Sequence, residues 1–164
     1  MGCVHRGSVT RIATLPDWPF PVRALDSDSW ETGDYVLAEV LPGPADTEDF
    51  ELRSGRSCRP LVGDLLVGAL AERFATLEAT GSYRAVGEDG VMHCLTEGGC
   101  FGALTSKSRF SKRLMRLRYR GHVIRDGEKL TMRGAVEADE GPWDWPMDIP
   151  VVLLVGTSMS AGKT

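Results

Sequence analysis

Twice in this chain, thirty residues apart, a Gly-Asp pair opens directly into a run of β-prone residues. The two copies read Gly33-Asp34-Tyr35-Val36-Leu37-Ala38-Glu39-Val40 and Gly63-Asp64-Leu65-Leu66-Val67-Gly68-Ala69-Leu70. Glycine tolerates positive φ and aspartate stabilises a turn through its carboxylate, so each pair reads as a turn that launches a strand. Two copies do not make a solenoid. They predict two equivalent strands of one small antiparallel β-barrel or sandwich, with the body up to residue 136 mainly β.

Other turn signals agree. Pro16, Pro19 and Pro21 rule out a helix after the first β-branched segment and force an extended path. Asp-Gly between β-prone runs is a strong hairpin signal, because both turn residues tolerate φ > 0. It occurs at Glu88-Asp89-Gly90, between residues 83–86 and 91–95, and at Arg125-Asp126-Gly127-Glu128, between 118–124 and 129–132. Glu97-Gly98-Gly99-Cys100-Phe101-Gly102 has no following lysine or helix, so it reads as a glycine-rich strand connection. Helix competes only in residues 71–80, where Ala71, Phe74 and Leu77 fall near helical spacing; a short helix or an irregular crossing is expected there.

At 164 residues the chain fits one domain, or one domain and the start of another. A core of this size needs neither disulfide nor metal. The longest apolar run, residues 151–155, is too short to span a bilayer, so no membrane partner is expected. Arg6 stands where a myristoylation signal after Met1-Gly2 has Ser or Thr, and no apolar segment of a secretory signal follows the start. A cytoplasmic location is the simplest expectation. Cys3, Cys58, Cys94 and Cys100 lack paired Cys-x-x-Cys spacing. Although His93, Cys94, Cys100, Cys3 and His5 come nearest to a zinc set, reduced cysteines packed as small apolar residues are expected. The three histidines show no nucleophile–base pattern and receive no catalytic role.

The net charge of −4 conceals an asymmetry. From Lys107 to Arg133 ten basic residues face two acidic ones, a local charge of +8 that leaves −12 for the remainder. Leu117, Tyr119 and Gly121 alternate with Arg116, Arg118 and Arg120, which places the arginines on one face of a strand. Such a face either binds a polyanion such as nucleic acid or neutralises an acidic neighbour such as Asp46, Glu48, Asp49 and Glu51. Aromatic interleaving for base stacking is thin, with only Phe110 and Tyr119. A homo-oligomerisation role for the β body also stays open.

Residues 137–148 form an acidic linker rich in Pro and Trp, whose Trp143 and Trp145 offer large apolar areas for pinning it to a neighbouring surface. Residues 151–155 then read as a buried strand, followed by Gly156-Thr157-Ser158-Met159-Ser160-Ala161-Gly162-Lys163-Thr164. Strand, glycine-flanked loop and Gly-Lys-Thr together let backbone N–H groups converge on phosphate oxygens. Lys163 would place its charge near the β and γ phosphates, and the Thr164 hydroxyl would face Mg²⁺. Five residues separate Gly156 from Gly162, one more than the usual spacing.

With that spacing, Gly156-Thr157 and Gly162-Lys163-Thr164 resemble the phosphate loop of dethiobiotin synthetase and related ATP-dependent enzymes. A thymidine-kinase-like loop fits Met159-Ser160-Ala161-Gly162 only in part. The resemblance is carried by nine residues. It implies a P-loop NTPase or kinase using ATP and Mg²⁺, with Lys163 catalytic, residues 156–164 binding nucleotide and Thr164 on the metal. The expected organisation is a β-barrel-like domain over 1–136, the linker over 137–148, and the first strand and loop of an NTPase domain over 149–164. The acidic Mg²⁺ partner and acceptor site would lie beyond Thr164, so this chain alone is expected to bind ATP weakly and to be inactive. The β domain is then a substrate-recognition or regulatory unit.

Overall fold

The computed structural model describes residues 2–44, 47–75, 77–135, 150 and 152–155. The chain is mainly β. Its strands are β1 (Val4–Arg6), β2 (Val22–Arg23), β3 (Tyr35–Val40), β4 (Phe50–Glu51), β5 (Ser57–Cys58) and β6 (Leu65–Leu70). After these come β7 (Glu72–Ala75), β8 (Ala79–Ser82), β9 (Val91–Cys94), β10 (Cys100–Lys107), β11 (Arg116–Arg125) and β12 (Glu128–Lys129). One helical turn, α1 (Met132–Ala135), ends the described body.

Five strands close into a ring. β6 pairs with β3, β3 with β11, β11 with β9 and β9 with β10, all antiparallel; β10 returns to β6 in parallel through Cys100↔Ala69 and Phe101↔Leu70. The expected all-antiparallel barrel is therefore corrected to a mixed one. β6 divides its outer edge between two parallel partners, β1 along residues 65–67 and β10 along 69–70.

Period-two alternation explains why both Gly-Asp runs are apolar nearly throughout. Val36, Ala38 and Val40 of β3 join Leu66, Leu70, Met92, Cys94, Phe101 and Leu117 in one buried cluster, to which every ring strand contributes. That cluster fills the ring. The alternate residues Tyr35 and Leu37, with Val67 and Ala69, meet Ala13, Leu15 and Phe20 in a second cluster on the outer face. The proline-bearing segment before β2 thus covers the barrel, and strands buried on both faces read as near-continuous apolar runs.

Three local expectations change. In place of a helix or irregular crossing at 71–80, β7 and β8 form a hairpin, with Glu72↔Ser82 through Ala75↔Ala79 in register. β8 also pairs with β10, extending the sheet beyond the ring, and Phe74 and Leu77 stay exposed because no helix face exists to bury them. Residues 83–85 form a 3₁₀ turn, with Ser82 Oγ accepting the Arg84 N–H at 3.1 Å. β9 already has β10 and β11 on its two edges, so no edge is left for a hairpin partner there. The second Asp-Gly hairpin forms as expected, with Asp126 at φ 54° and Gly127 at φ 85° between β11 and β12.

The expected buried strand at 151–155 is the third change. Residues 152–155 belong to no strand and are each at least 70% exposed. An apolar strand needs neighbours on its edges and faces, and residues 152–155 pair with no strand among the described residues. Residues 137–148 and the phosphate loop at 156–164 lie outside the described residues. Among the described residues, no helix is long and apolar enough to cross a membrane.

Gly68 marks the tightest point of the ring. A Cβ there would lie 2.3 Å from the Gly99 carbonyl oxygen and 2.5 Å from the Phe101 ring. Gly68→Ala is expected to destabilise the fold by about 2 kcal/mol or more, as overpacking against backbone does. Gly87→Ala, whose nearest neighbour would be 3.6 Å away, should change stability by less than about 0.5 kcal/mol. Urea denaturation of both variants checks this, and equal midpoints would refute the close approach.

Candidate functional site

The two Gly-Asp turns are related by pseudo-twofold symmetry. Gly33 and Gly63 have φ of 91° and 88°. Asp34 Oδ2 accepts the Glu31 N–H at 2.8 Å, and Asp64 Oδ2 accepts the Leu61 N–H at 2.9 Å. Each turn then caps the far end of the neighbouring strand. Gly33 N–H donates to Leu70 O while Leu70 N–H donates to Asp34 O; Gly63 N–H and Val40 N–H make the matching pair with Val40 O and Asp64 O.

A histidine from a distant element meets each carboxylate. His5 Nε2 lies 3.0 Å from Asp64 Oδ2, and His122 Nε2 lies 3.2 Å from Asp34 Oδ2. β11 delivers His122 by a bulge. The register shifts between Tyr119 and Gly121, with Gly121 at φ 144°, and the expected in–out alternation of 116–120 gives way to consecutive buried residues. A bulge re-aims the side chains that follow it. Here it turns His122 inward.

Around His122 the polar groups form a chain. Tyr119 OH lies 2.6 Å from His122 Nδ1 and accepts the Leu25 N–H at 3.1 Å. The arrangement that satisfies every neighbour has the tyrosine hydroxyl donating to Nδ1 and the Nε2–H donating to Asp34. Trp30 stacks against Tyr119 at 4.5 Å and donates its Nε1–H to Leu25 O. Lys129 Nζ completes the group at 3.0 Å from Asp34 Oδ2 and 2.9 Å from Glu31 Oε2.

Burial by itself would raise the Asp34 pKa. Hydrogen bonds from His122, the Glu31 N–H and Lys129, aided by the lysine charge, outweigh it and hold the carboxyl below its ordinary value. Burial likewise opposes the depression of Asp64, which the Leu61 N–H, His5 and the Cys3 N–H together produce. Lys129 is shifted upward because Glu31 and Asp34 outweigh its desolvation.

The twins differ at one atom. Asp64 Oδ1 accepts the Cys3 N–H at 2.8 Å, whereas the buried Asp34 Oδ1 has no hydrogen-bond partner among the described residues. Asp34 also forms part of the wall of a cavity of about 370 Å³, with Trp30, Glu31, Arg84, Thr131 and Arg133. An adjoining opening of about 450 Å³ shares Trp30, Tyr83 and Arg84, so the two make one groove. This groove is the candidate site.

The basic segment is dispersed. Arg116, Arg118 and Arg120 do face outward from β11, as the alternation predicts. Arg120, however, is ion-paired with Glu39, Lys129 with Glu31 and Asp34, and Arg125 reaches Thr14 O. Lys107 Nζ is held by the carbonyls of Ser108 and Ser111. Asp49 and Glu51, expected as neutralising partners, pair with Arg59 and Arg11. Among the described residues, Glu31, Asp34 and Glu39 take up Lys129 and Arg120, and Asp126 lies 4.0 Å from Arg125. Glu48, one of the expected acidic neighbours, lies close enough to Lys112 for its charge to favour the carboxylate.

Cys3, Cys58, Cys94 and Cys100 are free thiols. Burial pushes the Cys94 thiol well above its ordinary value, and its Sγ donates to Thr96 O at 3.1 Å. His93 accepts the Leu104 N–H at Nδ1, and burial together with Arg116 lowers its pKa. Among the described residues, no three His, Cys, Asp or Glu side chains converge to hold a metal ion.

The sequence-level site residues, Gly156 through Thr164, fall outside the described residues, so the groove is assembled from others. Asp34 and Asp64 had been visible only as turn formers. His5 and His122 carried no local signal, since each meets its aspartate across 59 and 88 residues. Comparison with protein-family models, with curated proteins and with solved structures gives no match.

Depressed carboxylates give a definite sign to the pH dependence. Their contribution is fully present above the unfolded-state pKa of about 4 and is lost as pH falls through the lower folded-state values. Stability should decline below about pH 4. Asp64→Asn should be less stable than the parent at neutral pH and show a shallower acid decline, measured by urea denaturation between pH 2.5 and 7. An unchanged slope would remove Asp64 from the acid-sensitive set.

Proposed function

We propose that the β-barrel is the recognition or regulatory unit of a P-loop NTPase or kinase, with residues 156–164 forming the nucleotide-phosphate loop. The observation that carries this reading is the independence of the barrel from residues 152–155. The ring closes through β10 and β6, both faces of its central strands are covered, and the apolar segment directly before the loop remains exposed and unpaired. A run of that composition is stable when neighbouring strands flank it, as in the parallel sheet of an α/β unit. Its exposure here supports assigning it to a nucleotide-binding unit distinct from the barrel.

Within that unit the chain's own groups have defined work. Backbone N–H groups from Gly156 to Gly162 would hold phosphate oxygens, Lys163 would balance phosphate charge, and the Thr164 hydroxyl would hold Mg²⁺. Bound ATP supplies the transferable phosphoryl group. A helix dipole and an acidic metal partner normally reinforce such a loop, and the described residues provide neither. Affinity in this 164-residue chain is accordingly low.

Amide NMR of the chain during titration with MgATP tests the proposal. Selective shifts at the Gly162, Lys163 and Thr164 amides are expected, with a Kd on the order of 1 mM or weaker, and Lys163→Ala should abolish them. Saturating MgATP that leaves those amides unmoved would remove the phosphate-loop reading. Micromolar affinity would show that the loop needs no further scaffold.

A further inference from the structure

Among the described residues, two groups of opposite charge at the groove are left unmatched: one oxygen of the otherwise paired Asp34 carboxylate, and the Arg133 guanidinium. Asp34 Oδ1 is buried without a donor, while the equivalent oxygen of Asp64 is satisfied by a backbone N–H. An unsatisfied buried carboxylate oxygen is costly, and its occurrence on one twin alone calls for an absent donor. Arg133, exposed on α1, lines the same groove and has no carboxylate partner among the described residues.

The other groups are already matched or restricted. Lys129 bridges Glu31 and Asp34, and Arg84 lies 3.5 Å from Glu72 while stacking 5.0 Å over Tyr83. Trp30 and Tyr83 are buried, so the groove offers little aromatic face for stacking a nucleobase.

The geometry points to a small free amino-carboxylate, of the α-amino-acid class, as the ligand of this groove. Its ammonium donates to Asp34 Oδ1 and its carboxylate accepts from Arg133. A simple carboxylate or phosphate leaves Asp34 Oδ1 unmatched and faces the acidic Asp28 and Glu31 as well. A simple amine leaves Arg133 unmatched. An internal peptide residue carries neither terminal charge. The cavity of about 370 Å³ holds the charged head, and the adjoining opening takes the side chain. Asp34 Oδ1 lies beneath the surface, so occupancy involves a side-chain adjustment at the wall. The assignment rests on the proposed recognition role of the barrel and does not involve residues 156–164.

The test is amide NMR of the 164-residue chain with the twenty common L-amino acids, added in pools to about 10 mM each. At least one should give saturable shifts at residues 31–34, 84 and 131–133, with its deaminated and decarboxylated analogues weaker by about tenfold or more. Arg133→Gln, on an exposed turn, should weaken the amino acid about tenfold and leave its amine analogue unchanged. Asp34→Asn should weaken both, provided its spectrum remains that of a folded chain. Lys163→Ala should leave amino-acid binding intact, which separates this result from that of the MgATP titration. Absence of saturable shifts from every pool, shifts confined to other surfaces, or indifference to Arg133→Gln would overturn the assignment; the first would leave ordered water as the occupant.

Discussion

The reciprocal capping of β3 and β6 is the constraint on which the barrel depends. Each strand starts where the other ends, and a Gly-Asp turn closes both ends with paired backbone hydrogen bonds. Buried backbone groups must find partners, and the aspartate carboxylates extend that accounting to the turn N–H groups of Glu31 and Leu61. Slipping the pair by one residue would exchange the interior residues Val36 and Leu66 for the outer-face residues Leu37 and Val67. The caps and the two apolar clusters therefore specify the same register.

From that pair the remaining architecture follows by edges. β3 offers its free edge to β11, and β6 divides its own between β1 and β10. The division requires close backbone approach, which Gly68 permits beside Gly99 and the Phe101 ring. The same economy of space appears at the β11 bulge, where Gly121 lies against Val22 and Arg23 and His122 turns toward Asp34. One bulge thus links the sheet's shape to the composition of the groove.

The pseudo-symmetry gives the groove its meaning, because the second copy serves as an internal control. Both aspartates hold a turn and both meet a histidine. The segment leading into β1 seals the Asp64 copy through the Cys3 N–H, whereas the Asp34 copy adjoins a cavity bounded by α1 and the 3₁₀ turn after β8. A structural device used twice is closed in one place and left chemically incomplete in the other. Such local inconsistency within an otherwise satisfied polar network is where binding function concentrates.

Much of the body was legible locally. The mainly β class, the equivalence of the two Gly-Asp strands, the Asp126-Gly127 hairpin and the outward arginines of β11 all follow from backbone preference and period-two patterning, which act over a few residues. The proposed phosphate loop is a reading of the same local kind, since its pattern is contiguous from Gly156 to Thr164. What spacing could not supply was partner choice. Residues 72–75 and 79–82 became a hairpin because β10 offered an edge, residues 83–85 became a turn because β9 had none, and the apolar run at 152–155 pairs with no strand among the described residues. The Asp34 groove is likewise a tertiary product, assembled from side chains as far apart in sequence as Glu31 and Arg133, because charge and hydrogen-bond pairing are settled by distance in space.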